Sequence, residues 1–97
     1  MLDLSKYKSF EWDKGNLDKS YHKHGISPNE SEEIFLDEEL KILKDFNHSQ
    51  REERFIALGK IFNGKKLFVV FTLRSEKIRI ISVRPMNKKE RGNYEKT

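Results

Sequence analysis

The stretch Leu67-Phe68-Val69-Val70-Phe71-Thr72-Leu73, followed by Arg74-Ser75-Glu76-Lys77 and Ile78-Arg79-Ile80-Ile81-Ser82-Val83-Arg84, holds two apolar runs joined by four polar residues. The first run is almost continuously apolar, β-branched or aromatic, which suits a central strand covered on both faces. The polar four make a turn, and the second run returns along the first. Upstream, residues 55–62 lead into Asn63-Gly64, the dipeptide favoured in type I′ hairpins. Three consecutive strands therefore form an antiparallel meander. Pro85 cannot donate to a ladder and ends the third. Strand 78–84 is expected at an exposed edge, which invites an added chain.

Moving toward the N-terminus, residues 39–53 fit neither period cleanly, and a short strand at 40–45 with a polar loop through Asn47-His48-Ser49 is the expectation. Ser27-Pro28-Asn29-Glu30 has serine at the cap, proline in the first turn and glutamate three residues on, so a helix opens here and runs to about Phe35 or Leu36. Before it, Phe10-Glu11-Trp12 reads as a short strand and Asp13 as the cap of a first helix. Leu17, Tyr21 and His24 mark that helix's apolar stripe, and Gly25 suits the left-handed position beyond its end. After Pro85, Asn87 can cap a short terminal helix that Gly92 weakens. The fold class is thus α+β, with two N-terminal helices packed on an antiparallel sheet and a short C-terminal helix. Nothing in residues 1–97 reads as a linker, so one domain is expected.

Of the 97 residues 37% are charged and 11% aromatic, and the mean hydropathy is −0.84. The aromatic content favours a folded chain over a solvated coil. The net charge of +4 conceals a division: residues 1–53 carry 8 Lys/Arg against 13 Asp/Glu, whereas residues 54–97 carry 12 against 3. The second half suits a polyanion and the first does not. Cysteine is absent, which excludes disulfides, thiolate metal sites and cysteine nucleophiles. No apolar run approaches a membrane span or a signal-type core, so a soluble cytoplasmic protein is expected. His22 and His24 have no third ligand at convincing spacing, the five glycines form no phosphate-cradling loop, and no hydrolase triad is ordered; neither metal nor cofactor is expected.

The arginines of strand 78–84 are the strongest functional signal, because a guanidinium is a poor strand filler and a good planar clamp for phosphate. Strict alternation puts Arg79 on one face and Arg84 on the other, or Arg84 at the rim. The competing reading is ordinary edge-strand charge that discourages aggregation. Arg54 stands at the start of the first hairpin strand and can join them, or can pair with Glu52 or Glu53. Histidine is the side chain best suited to proton transfer near neutral pH, so His24 can move protons, or can pack at a helix end. Glu90 and Tyr94 share a face of the terminal helix four residues apart, where they can handle protons or stack a base, or simply pack.

Several segments recur together in a known order: Phe10-Glu11-Trp12-Asp13, Lys23-His24-Gly25-Ile26, Glu53-Arg54-Phe55-Ile56-Ala57-Leu58-Gly59, Val69-Val70-Phe71-Thr72-Leu73-Arg74, then strand 78–84, Glu90-Arg91 and Tyr94. Their order and spacing resemble the BrnT family of bacterial type II toxins from Phe10 to Tyr94. Ser82-Val83-Arg84, where the family often has Ser-Ala-Arg, and Pro85-Met86-Asn87 depart from it. The resemblance implies a RelE-like fold, ribonuclease activity and neutralisation by a ribbon-helix-helix antitoxin, BrnA. Arg79, Arg84, Arg54 and His24 are then the expected catalytic residues, and Lys23, Arg74, Lys88, Lys89, Arg91 and Tyr94 the expected RNA contacts. Two toxins with two antitoxins are expected, with operator DNA reached only through the antitoxin. The alternative is a non-catalytic nucleic-acid- or partner-binding module, such as a degenerate toxin acting as a corepressor.

Overall fold

A computed structural model describes residues 4, 7, 9–45 and 52–96. In chain order these form β1 (Ser9–Trp12), α1 (Lys14–His24), α2 (Pro28–Glu33), a 3-10 turn (Ile34–Leu36), β2 (Lys41–Lys44), β3 (Phe55–Lys60), β4 (Lys66–Arg74), β5 (Lys77–Pro85) and α3 (Lys88–Glu95). The strands make one sheet in the order β1-β5-β4-β3-β2. The meander β3-β4-β5 lies in its middle as the hydrophobic runs dictate. The sheet is mixed rather than antiparallel, because β1 pairs parallel to β5, with Phe10 beside Ile78 and Trp12 beside Ile80. Two helices and three strands separate them in sequence, ample length for the crossover a parallel pair needs. Strand β5 is consequently not an edge; β1 and β2 are.

The edge of β5 left open beyond β1 is covered by α1. The Asp13 amide donates to Ile80 O at 3.3 Å, the chain then turns into α1, and Ser20 Oγ donates to Val83 O at 3.1 Å. Ser20 is buried and Tyr21 is 56% exposed, so the packing stripe runs through Leu17, Ser20 and His24 and not through Tyr21. A small hydroxyl lets the helix approach an open strand edge and satisfies one of its carbonyls, which a bulky apolar residue cannot do.

The caps form as their residues require. Asp13 accepts from the Asn16 amide, Gly25 adopts φ 67°, and reciprocal capping boxes open α2 (Ser27 with Glu30) and α3 (Asn87 with Glu90). Helix α2 stops at Glu33, and its continuation tightens into the 3-10 turn. Gly59 permits that turn to lie directly on β3: a Cβ there would stand 2.9 Å from Ile34 Cβ and 3.2 Å from Leu40 Cδ1. The Asn47-His48-Ser49 loop falls outside the described residues.

The type I′ geometry expected at Asn63-Gly64 is found at the other hairpin. At Asn63-Gly64 only the glycine has positive φ (93°), and Gly64 N–H donates to Ile61 O at 2.9 Å. This is a tight turn followed by a left-handed glycine, whereas a type I′ turn needs positive φ at both central residues. Ser75 (φ 49°) and Glu76 (φ 65°) do satisfy that condition between the paired Arg74 and Lys77.

The sheet has two covered faces. Ile34, Val69, Phe71 and Ile80 centre the larger core under α1, α2 and the 3-10 turn. Leu58, Met86 and Tyr94 form a smaller one where α3 covers the other face. Between the two halves of β5 the ladder slips: Ser82 pairs Val70, but Ile80 pairs Phe71, leaving Ile81 as the extra residue of a β-bulge. Arg79 therefore stands opposite Thr72 and Arg84 opposite Phe68. Thr72 and Phe68 are four apart on an unbulged strand, so both arginines project from the face that carries α3. The expectation of opposite faces fails because the bulge takes up one of the five steps from Arg79 to Arg84, leaving an even spacing of four on the ladder.

One melting experiment tests both backbone constraints. Gly59→Ala should destabilise by about 1–3 kcal/mol through overpacking against Ile34. Glu76→Gly should stabilise by about 1 kcal/mol by relieving a left-handed non-glycine residue. Equal melting temperatures for all three proteins would refute this account of the two turns.

Candidate functional site

Arg84 is the centre of the α3 face. Its guanidinium lies 3.8 Å above the Phe68 ring, and its two terminal nitrogens donate to the two carboxylate oxygens of Glu90 at 2.7 and 2.8 Å. Glu90 Oε1 also accepts the Asn87 amide at 2.9 Å, so one carboxylate both starts α3 and holds Arg84. The Arg84 bond keeps the Glu90 carboxyl below its ordinary range, against the opposing effect of burial. Arg91, a turn along the exposed side of α3, donates to Met86 O at 2.9 Å.

The end of α1 meets Arg84 from the sheet edge. Lys19, Ser20, Lys23 and His24 share a depression of about 210 Å³ with Ser82 and Arg84. On its other side His24 borders a second depression of about 360 Å³, floored by Ile26, Pro85 and Met86 and rimmed by Lys65, Lys66 and Arg91. His24, Lys23, Arg84 and Arg91 of the expected set are thus brought together. Lys19 and Lys23 have no ion-pair partner among the described residues, whereas Lys65 pairs with Glu30 and Lys66 with Glu95.

The other expected residues stand apart from this cluster. Arg79 projects from the same face but is drawn toward β1, where it pairs with Glu11 and approaches Asp13 Oδ2 at 3.7 Å. Continuing the ladder places Arg54 in the same row, opposite Thr72, with its Nε fully enclosed. Beside it, Glu52 pairs with Arg74 at 3.2 Å and Glu53 with Lys44 at 3.3 Å. Arg74 sits at the β4–β5 turn, the far end of the strand from Arg84's partner Phe68. Lys88 and Lys89 are exposed on the first turn of α3.

Tyr94 is placed in the second core. Its hydroxyl donates to Asp37 Oδ2 at 2.6 Å, an arrangement that leaves no ring face for a base. Burial, with the Asp37 bond, pushes its phenol well above the ordinary value. Burial also pushes the Asp37 carboxyl upward, but bonds from Tyr94 and the Lys60 and Glu39 amides outweigh this and hold it low.

Lys19, Phe68 and Ser82 escape a reading of the sequence alone. Lys19 lies four residues before Lys23 and so shares its helix face, a spacing that was available. The roles of Phe68 and Ser82 depend on the bulged register, which no local pattern announces. Chemically, the cluster offers a forked cation seated on a ring, flanking lysines and one imidazole. A phosphate can take the place of the Glu90 carboxylate on that fork, since both present two anionic oxygens that accept in bidentate fashion from a planar guanidinium.

Residues 12–90 match the family described as "Ribonuclease toxin, BrnT, of type II toxin-antitoxin system". No curated protein matches the chain. Among solved structures, the 1.1 Å crystal structure of the Brucella abortus ribonuclease toxin BrnT is similar, with a TM-score of 0.59 and 20% identity over 84% of this chain and 100% of that one. At that identity the likeness speaks for a shared fold. The family match spans most of the sequence, from Trp12 at the end of β1 through the bulged β5 to the Arg84–Glu90 pair, and on that ground the chain belongs to the BrnT family of ribonuclease toxins of type II toxin–antitoxin systems.

Proposed function

We propose that this chain is a RelE-like, metal-independent endoribonuclease whose site is centred on Arg84, and that it inhibits translation until a ribbon-helix-helix antitoxin of the BrnA kind covers it. The observation that carries this reading is the convergence of Arg84, Lys19, Lys23 and His24 on one depression. The RNA supplies its own nucleophile. The 2′-oxygen loses its proton and bonds to the adjacent phosphorus, the P–O5′ bond breaks, and the 5′-oxygen takes up a proton. The products are a 2′,3′-cyclic phosphate and a 5′-hydroxyl.

In this reading Arg84 binds the phosphate and stabilises the charge that builds on it, the task a metal performs in other nucleases. His24 moves the protons. Lys23, Arg91, Lys88 and Lys89 carry the flanking strand, while Arg79 and Arg54 extend the cationic face along the sheet. Arg74 and Tyr94 lie outside the proposed site. The antitoxin assembly is proposed as two toxins with two antitoxins, because ribbon-helix-helix chains pair through a shared ribbon, with operator DNA held by the antitoxin and the whole working in the cytoplasm.

The carboxylates on Arg79 and Arg84 favour a second reading, a non-catalytic RNA- or partner-binding module, since both forks are occupied in the free chain. Incubating the chain, freed of antitoxin, with single-stranded RNA in excess chelator separates the two. Cleavage to 2′,3′-cyclic ends is expected. His24→Ala should lose about 10²–10⁴ in rate, and Arg84→Ala or Arg79→Ala about 10²–10³, each checked for an intact melt. RNA bound but left intact, on or off the ribosome, selects the module instead.

Glu90→Gln tests the competition between carboxylate and phosphate. Because the folded Glu90 carboxyl titrates low, its contribution to stability is present above pH 4.5 and is lost as pH falls through the folded value. The variant should melt lower near neutrality, with the gap closing in acid, and should bind RNA more tightly than the parent. Weaker RNA binding by a folded Glu90→Gln protein would contradict the exchange.

A further inference from the structure

On the far side of the β3–β4 hairpin from the cationic cluster, the surface reverses in chemistry. Leu36 and Phe62 are 69% and 85% exposed, the two most exposed large apolar side chains described. They line two adjoining depressions of about 640 and 400 Å³, and share both with Glu33. Phe62 is not held out by a loose loop. Its amide donates to Glu33 Oε1 at 2.6 Å, Lys60 N–H donates to Asp37 Oδ2 at 2.8 Å, and Asn63 Nδ2 donates to Glu30 Oε2 at 3.1 Å. The hairpin is pinned to the acidic segment while its aromatic ring faces solvent.

The rim is strongly acidic. Glu32, Glu33, Asp37, Glu38, Glu39 and Glu95 border the two depressions, against Lys60 and Lys66 alone. Lys66 is already paired with Glu95, and neither Glu38 nor Glu39 has a cationic partner among the described residues. Such a rim repels RNA and anionic membranes, so the exposed apolar pair is not a further part of a nucleic-acid surface. Apolar anchors ringed by more carboxylates than cations complement one kind of occupant: a segment with apolar residues along one side and Lys/Arg flanking them.

We infer that the Leu36–Phe62 surface docks a basic amphipathic segment of a partner protein. This stands independently of RNA cleavage, because Leu36, Phe62, Glu38 and Glu39 line neither depression of the Arg84 cluster. Trp12, the single tryptophan, reports on the site: its indole donates to Glu32 Oε2 at 3.2 Å, and Glu32 lines the smaller depression beside Phe62.

The test uses the full chain and a synthetic sixteen-residue Leu/Lys amphipathic helix, with a Leu/Glu counterpart as control. Trp12 emission should shift on adding the Lys peptide and not the Glu peptide. The double variant Leu36→Ser/Phe62→Ser and the double variant Glu38→Lys/Glu39→Lys should each weaken binding at least tenfold while keeping the parent's melting temperature. RNA cleavage by Leu36→Ser/Phe62→Ser should match the parent, so a failure here is distinct from a failure of the ribonuclease reading. Equal peptide affinity in parent and variants would overturn the inference. Concentration-dependent self-association that Phe62→Ser abolishes, without peptide binding, would also overturn it in favour of a second copy of this chain. Binding of RNA or anionic vesicles at the patch would overturn it as well.

Discussion

The single extra residue at Ile81 governs the rest of the α3 face. Without that bulge Arg84 would fall on the same face as Val69 and Phe71, inside the larger core, where a guanidinium without partners is prohibitively costly. With it, Arg84 turns onto the Phe68 ring and meets Glu90. Glu90 in turn opens α3, and α3 carries Tyr94 down to Asp37 beyond the 3-10 turn. One inserted residue in a strand thus links the sheet, the terminal helix and the loop before β2. It also puts Arg79 and Arg84 on one surface.

The charge division along the chain becomes a division in space, with informative exceptions. Acids of the first half gather around α2, the 3-10 turn and residues 37–39, facing away from the cationic cluster. Glu11, Asp13 and Glu90 do the opposite and sit on the arginines. Paired in this way, Arg79 and Arg84 are held in place without a ligand, and each must trade a carboxylate for any phosphate it binds. Such pairs are partly exposed, so the exchange costs far less than breaking a buried pair would. Lys19 and Lys23 on α1 have no ion-pair partner among the described residues, and can attract a polyanion before any exchange occurs.

Local chemistry made much of the framework legible. Asp13, Ser27 and Asn87 capped the helices they preceded, Gly25 took the left-handed position, and the near-continuous apolar run of β4 became the central strand. Each of these depends on neighbours within a few residues. The failures have the opposite character. The parallel placement of β1 and the burial of Ser20 in place of Tyr21 follow from contacts made across the chain. In the site, the residue types were readable and their grouping was not. His24 and Lys23 meet Arg84 only because α1 covers the edge that β1 leaves open, and Tyr94 leaves the expected RNA surface because Asp37, 57 residues earlier, captures its hydroxyl.

Sequence alone therefore determined the elements, their caps, the central meander and the order of segments that mark the family, since propensity, periodicity and capping act over short spans. Tertiary structure alone decided which face each arginine occupies, which carboxylate guards it, and which helix end reaches it. The physical reason is register. A strand's side chains alternate with period two, so one unannounced bulge at Ile81 reverses the face of everything beyond it, and only pairing with β4 shows where that residue was inserted.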